Sequence, residues 1–105
     1  MHHMRSPDFG DPHDHPFGFV SFVLFGGYRE EIFSLDGSSH FEDHRKGDRF
    51  DVPATRIHRI VELFEGECWT ITLPGAYVKE WGSWRFRADG PYFRQHDWND
   101  FRRVE

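Results

Sequence analysis

From Phe17 to Phe25 every residue except Gly18 and Ser21 is apolar. A run of this length reads as a strand buried on both faces. Period two sets Phe17, Phe19, Ser21, Val23 and Phe25 on one face and Val20, Phe22 and Leu24 on the other. Gly26-Gly27 then predicts a two-residue hairpin turn, with Tyr28 to Leu35 as the return strand. In that hairpin Val23 pairs with Glu30, Phe19 pairs with Ser34, and Tyr28, Glu30, Ile32 and Ser34 face inward. Asp36 to Lys46 is polar and reads as an exposed loop. After a turn at Gly47-Asp48, a short strand ends at Val52, where Pro53 breaks it. Arg56 to Phe64 is a strand with Ile57, Val61 and Leu63 on one face and Arg56, His58, Ile60 and Glu62 on the other. Glu65-Gly66 turns the chain into a strand over Cys68 to Leu73, and Val78 to Phe86 forms one more. Trp98 and Phe101, at i and i+3, predict a short helical turn within Asp97 to Arg103. Residues 1–12 show no period and read as a loosely ordered segment ahead of a single domain, 13–105.

The predicted fold class is therefore all-β, a small barrel or jelly roll with a short C-terminal helical turn. Composition agrees: 105 residues support one core, and 12 Phe with 4 Trp favour strands over helices. A net charge of −5 argues against nucleic acid as a partner. No apolar run approaches the ~20 residues of a membrane-spanning helix. The one cysteine, Cys68, excludes an internal disulfide and fits a reducing, cytoplasmic setting.

The candidate chemistry lies in the histidines. His13 and His15 flank Asp14 and lead into the first strand, so period two turns both imidazoles to one face and Asp14 to the other. A third ligand must come from elsewhere, and His58 is the best candidate. His40 and His44 lie in the polar loop and read as solvated; His96 reads as a surface residue. Tyr28 and Arg56 face inward by the same arithmetic and are the catalytic candidates, Arg56 as the holder of a substrate carboxylate or, the reading favoured by its type and place, as a salt-bridge partner at the barrel rim. In the hairpin register Glu30 sits roughly 25 Å along the strand from His15, too far to bind the same ion.

Gly47, Pro53 and His58 stand at the spacing of the second motif of the cupin superfamily, which the segment Gly47-Asp48-Arg49-Phe50-Asp51-Val52-Pro53-Ala54-Thr55-Arg56-Ile57-His58 resembles. Thr55 replaces that motif's second glycine, and Glu62 its final asparagine. His13, His15 and Gly26 match the first cupin motif, whose glutamate place falls at Phe19 or Val20. The resemblance covers about Pro12 to Leu73. It implies a cupin barrel that lacks the carboxylate ligand and keeps three histidines, a ligand set similar to that of cysteine dioxygenase and related thiol dioxygenases.

Three neutral imidazoles suit one divalent transition metal ion, with Fe(II) favoured and Ni, Zn or Mn as alternatives. Phe17 and Phe19 near the ion make an apolar pocket, which suits dioxygen chemistry on a small molecule. The expected function is thus a metal-binding cupin acting as a non-haem, iron-dependent, dioxygenase-like enzyme. The alternatives are a metal-dependent lyase or isomerase, and a non-catalytic cupin that binds a small ligand. The short stretch before His13 leaves a sheet edge open, which predicts a homodimer.

Overall fold

In this computed structural model residues 1–104 are described, and their regular structure is entirely β. The strands are β1 (His2–Met4), β2 (Phe19–Phe25), β3 (Gly27–Phe33), β4 (Ser39–Arg45), β5 (Arg49–Val52), β6 (Ile57–Leu63), β7 (Cys68–Pro74), β8 (Gly82–Arg87), β9 (Gly90–Gln95) and β10 (Arg102–Arg103). They form antiparallel sheets in the orders β1-β7-β2-β5, β4-β3-β6 and β10-β9-β8. The first two sheets face each other as a sandwich, and the strands do not close into a barrel. His13 bridges to both His58 and Ser83, which joins the third sheet to the second. Among the described residues no helix is long and apolar enough to cross a membrane.

The core lies between the two larger sheets. Val23 and Cys68 of one sheet bury against Tyr28 of the other, with Met4, Phe50, Ile60 and Leu63 packed around them. The alternation expected for β2 holds through Val23, since Ser21 and Val23 are buried while Leu24 is exposed. A bulge then shifts the register between Val23 and Phe25, and Phe25 emerges at the surface.

The pairing differs from the expected hairpin. β2 lies between β5 and β7, whereas β3 lies between β4 and β6. Gly26-Gly27 is a corner between sheets. Both glycines have positive φ, at 80° and 132°. A side chain at Gly26 would stand 2.1 Å from the Glu67 carbonyl oxygen. The absence of Cβ therefore lets β2 and β3 separate at once into opposite layers. Glu65-Gly66 makes the same kind of passage from β6 to β7, so His58 does not oppose Leu73 as a hairpin would require. Within the sheet it stands opposite Ile32 of β3 on one side and His13 on the other.

Three further segments differ from expectation. The predicted loop over Asp36 to Lys46 contains β4, paired along its whole length with β3. The N-terminal segment carries β1, which pairs His2, His3 and Met4 with Thr70, Trp69 and Cys68. That strand covers the sheet edge from which a dimer was expected. No helical turn forms near Trp98; the chain turns at His96-Asp97 and returns as β10 beside β9.

A candidate metal centre

His13, His15 and His58 come together at one end of the sandwich. A ligating nitrogen from each lies within 4.8 Å of the other two. The ring centroids are 4.9 Å apart for His13–His58 and His15–His58, and 5.2 Å for His13–His15. Two of the three are fixed to each other through the main chain. The His13 amide donates to the His58 carbonyl at 2.9 Å, and the His58 amide donates back at 2.9 Å. The His15 amide donates to the carbonyl of Ala54 at 3.3 Å, just beyond Pro53. The backbone thus sets the spacing of the imidazoles before any side chain contributes.

Asp14 turns away from the cluster, as its period predicts, and is buried. Its carboxylate accepts from the Gly82 amide at 2.9 Å, Lys79 Nζ at 2.7 Å and Trp84 Nε1 at 3.2 Å. It therefore pins the stretch from Lys79 to Trp84 against the His13–His15 segment. On its other side Gly82 packs closely on β9, where a Cβ would stand 2.1 Å from the Arg94 carbonyl oxygen.

Behind the histidines lies a residue the hairpin register had placed far off. Glu30 is fully buried, at 0% exposure. Its Oε2 accepts from His58 Nδ1 at 2.6 Å, and its Oε1 from His44 Nε2 at 2.7 Å and an Arg56 guanidinium nitrogen at 2.8 Å. Burial alone would raise its pKa. Hydrogen bonds from His44 and His58, with the charge of Arg56, outweigh burial and hold it down to about 2. An ionised carboxylate only accepts, so His58 carries its donor proton on Nδ1. With Nδ1 donating to Glu30, the nitrogen left for a ligand is Nε2, which is buried and has no hydrogen-bond partner. Orienting a ligating histidine in this way is the usual part of a neighbouring carboxylate at a metal site.

The other two histidines are also suited to ligation. Burial, then the neighbouring His58 and His13, hold His15 down to about 3. Burial and His58 lower His13 as well. Both are neutral at pH 7 and keep a lone pair. Nδ1 of His15, like Nε2 of His58, is buried and unpartnered. An unsatisfied buried polar atom costs about 1–3 kcal/mol, so two of them beside each other fit a bound cation.

The three imidazoles open into a cavity of about 330 Å³ between the sheets. Met4, Phe17, Phe19, Ile60 and Pro74 supply apolar walls; Tyr28, Ser21, Thr70, Thr72, His2 and Asp8 supply polar ones. Asp8 is held at the rim by two bonds to Ile60: its amide donates to the Ile60 carbonyl at 2.7 Å, and its carboxylate accepts from the Ile60 amide at 2.8 Å.

Of the catalytic candidates, Tyr28 lines this cavity and Arg56 does not. Arg56 is spent on carboxylates, Glu30 at 2.8 Å and Glu42 at 3.6 Å. Burial raises the Tyr28 hydroxyl well above its ordinary pKa, so it remains protonated. His44, expected in solvent, is buried, stacked on Phe50 at 3.6 Å and bonded to Glu30. His40 is exposed, and His96 stacks on Trp81 at the surface. A second group, Glu30, Glu42 and His44, has the spacing of a cation site, but Glu30 already accepts from both histidines and from Arg56. No family model matches the sequence, and no curated protein is similar to it.

Proposed function

We propose that this protein binds one divalent transition metal ion on His13, His15 and His58 and acts on a small molecule as a non-haem, iron-dependent, dioxygenase-like enzyme. The observation that carries the reading is the convergence of three imidazoles within 4.8 Å, with Glu30 holding His58 Nδ1 so that the unpartnered Nε2 is left for the ion. When bound, the ion supplies Lewis acidity and open coordination positions, because three protein nitrogens leave its shell incomplete. The chain's own part is to hold the imidazoles in register through the His13–His58 backbone pair and to keep His13 and His15 deprotonated by burial. It also supplies an apolar chamber, in which Phe17 and Phe19 support the oxygenase form over Lewis-acid chemistry on a polar substrate. Tyr28 presents a protonated hydroxyl to that chamber.

The cupin resemblance of the two histidine segments supports the same ligand set. The free, buried Cys68 supports a reducing, cytoplasmic setting. The reading also includes a homodimer, now on a sheet face. Val20 and Phe22 of β2 stand opposite Leu73 and Ile71 of β7 on the outward side, an apolar surface that a second copy would cover.

Elemental analysis of protein purified without a tag tests the proposal. Iron at one ion per chain is expected. Retention of zinc or nickel alone would overturn the redox form, and no retention after loading with Fe, Mn, Ni and Zn salts would overturn the metal site itself.

A further inference from the structure

The cavity also defines what it admits. Met4, Phe17, Phe19 and Ile60 make its body apolar, and among the described residues that line it there is no lysine or arginine. Two cations stand near the histidines, and both are committed elsewhere. Arg56 is bonded to Glu30 behind the site, and Lys79 Nζ is bonded to Asp14 at 2.7 Å and to the Glu80 carbonyl at 2.9 Å. The one carboxylate in the lining is Asp8, at the rim. A ligand anion beyond reach of the metal would therefore meet no lysine or arginine, only apolar walls and the neutral hydroxyls of Tyr28, Ser21, Thr70 and Thr72, and then a like charge. Burying an unpaired carboxylate in such surroundings is strongly unfavourable. A volume of about 330 Å³ lies at the low end of small-molecule sites.

We infer that the site takes a compact ligand with a single metal-binding head group, such as a thiol or hydroxyl, and an uncharged body, and that it rejects ligands carrying a carboxylate or phosphate at the far end. This inference rests on the metal reading above and gives its substrate class. It assigns selection to the cavity wall and leaves Arg56 no part in substrate binding.

The test compares mercaptobutanol with mercaptobutanoate, which match in length and differ in distal charge. Each is titrated into isotopically labelled, zinc-loaded protein, with backbone amide shifts at Ser21, Thr70 and Thr72 as the readout and metal occupancy measured separately. Mercaptobutanol is expected to bind at least about tenfold tighter. Equal or tighter binding of mercaptobutanoate would overturn the inference. The metal-free protein is titrated in parallel, because the walls alone should give the same order at weaker affinity. A protein that takes up no zinc but keeps that order would refute the metal site and uphold the ligand class; loss of the order would refute the class. Thr72→Lys places a cation in the wall and is expected to shift the preference at least about tenfold toward mercaptobutanoate, whereas Thr72→Val leaves it unchanged. An unaltered preference in Thr72→Lys would show that the ligand binds outside the cavity and would also overturn the inference.

Discussion

Replacing Glu30 by glutamine keeps the side chain's volume and removes its charge. Three donors converge on its two carboxylate oxygens, from His58, His44 and Arg56. A glutamine offers one acceptor oxygen. The Arg56 guanidinium and His44 share Oε1, so the amide oxygen belongs there and the amide nitrogen faces His58 Nδ1. A donor in that place forces the His58 proton onto Nε2, the nitrogen aimed at the site. The metal must then bind against the wrong tautomer and without the carboxylate's charge behind it. Loss of such a partner weakens metal affinity by about 10–100-fold. Stability falls too, since charge-assisted bonds in a buried site give way to one neutral acceptor; about 2–3 kcal/mol is expected. For a domain of this size each kcal/mol moves Tm by roughly 4–8 °C. The assay is zinc competition against a chromogenic chelator, with urea unfolding of the metal-free protein beside it. Zinc affinity within about twofold of wild type, whatever the stability, would refute the claim that Glu30 orients His58.

The remaining expectations follow from the same geometry. His44→Ala should destabilise the protein by about 1–3 kcal/mol in urea unfolding, because Glu30 loses a buried donor, yet leave metal stoichiometry unchanged. Metal-free protein should lose stability steadily on acidification. The depressed pKa of His15 means that unfolded chains take up its proton from about pH 6.5 downward, and folded chains only near pH 3. The Glu30 contribution is present above about pH 4.5 and is lost as pH falls through about 2. Urea midpoints measured from pH 8 to pH 3 check the sign, and a midpoint that rises on acidification would contradict it. Gly26→Ala should prevent the close approach of the β2–β3 corner to Glu67 and lower Tm sharply in a thermal melt.

Much of the strand pattern is legible in the sequence, because alternation marks a half-buried strand wherever its inward residues are apolar. β6 carries that signal, β2 shows as an unbroken apolar run, and β3, β5 and β7 are marked by the turns that bound them; period two then gives the inward set Tyr28, Glu30 and His58. β4 does not carry the alternating signal. Its inward residues Glu42 and His44 are polar because they complete the surroundings of Glu30, and its outward residues Ser39, Phe41 and Asp43 are exposed or at the surface. Pairing was hidden for a different reason. A Gly-Gly turn permits a hairpin and a corner alike, and only the steric fit at Glu67 and His44 distinguishes them. The misplaced register carried Glu30 away from the site it supports. One signal pointed to it: an acidic residue on an inward face requires donors, and His44, Arg56 and His58 are donors within reach of a sheet. The N-terminal contribution of Met4 and Asp8 to the cavity had no periodic signature, since these residues are fixed by single pairings to β7 and β6.

X-ray absorption at the metal edge bears most directly on the three-histidine site, measured on protein loaded with one equivalent of iron or zinc. The geometry predicts three imidazole nitrogens in the inner coordination shell of wild type and two in His58→Ala, with tight binding lost in that variant. An ion held without imidazoles would contradict the account, and so would a spectrum unchanged by His58→Ala and altered by His44→Ala, which would place the metal in the Glu30–Glu42–His44 group.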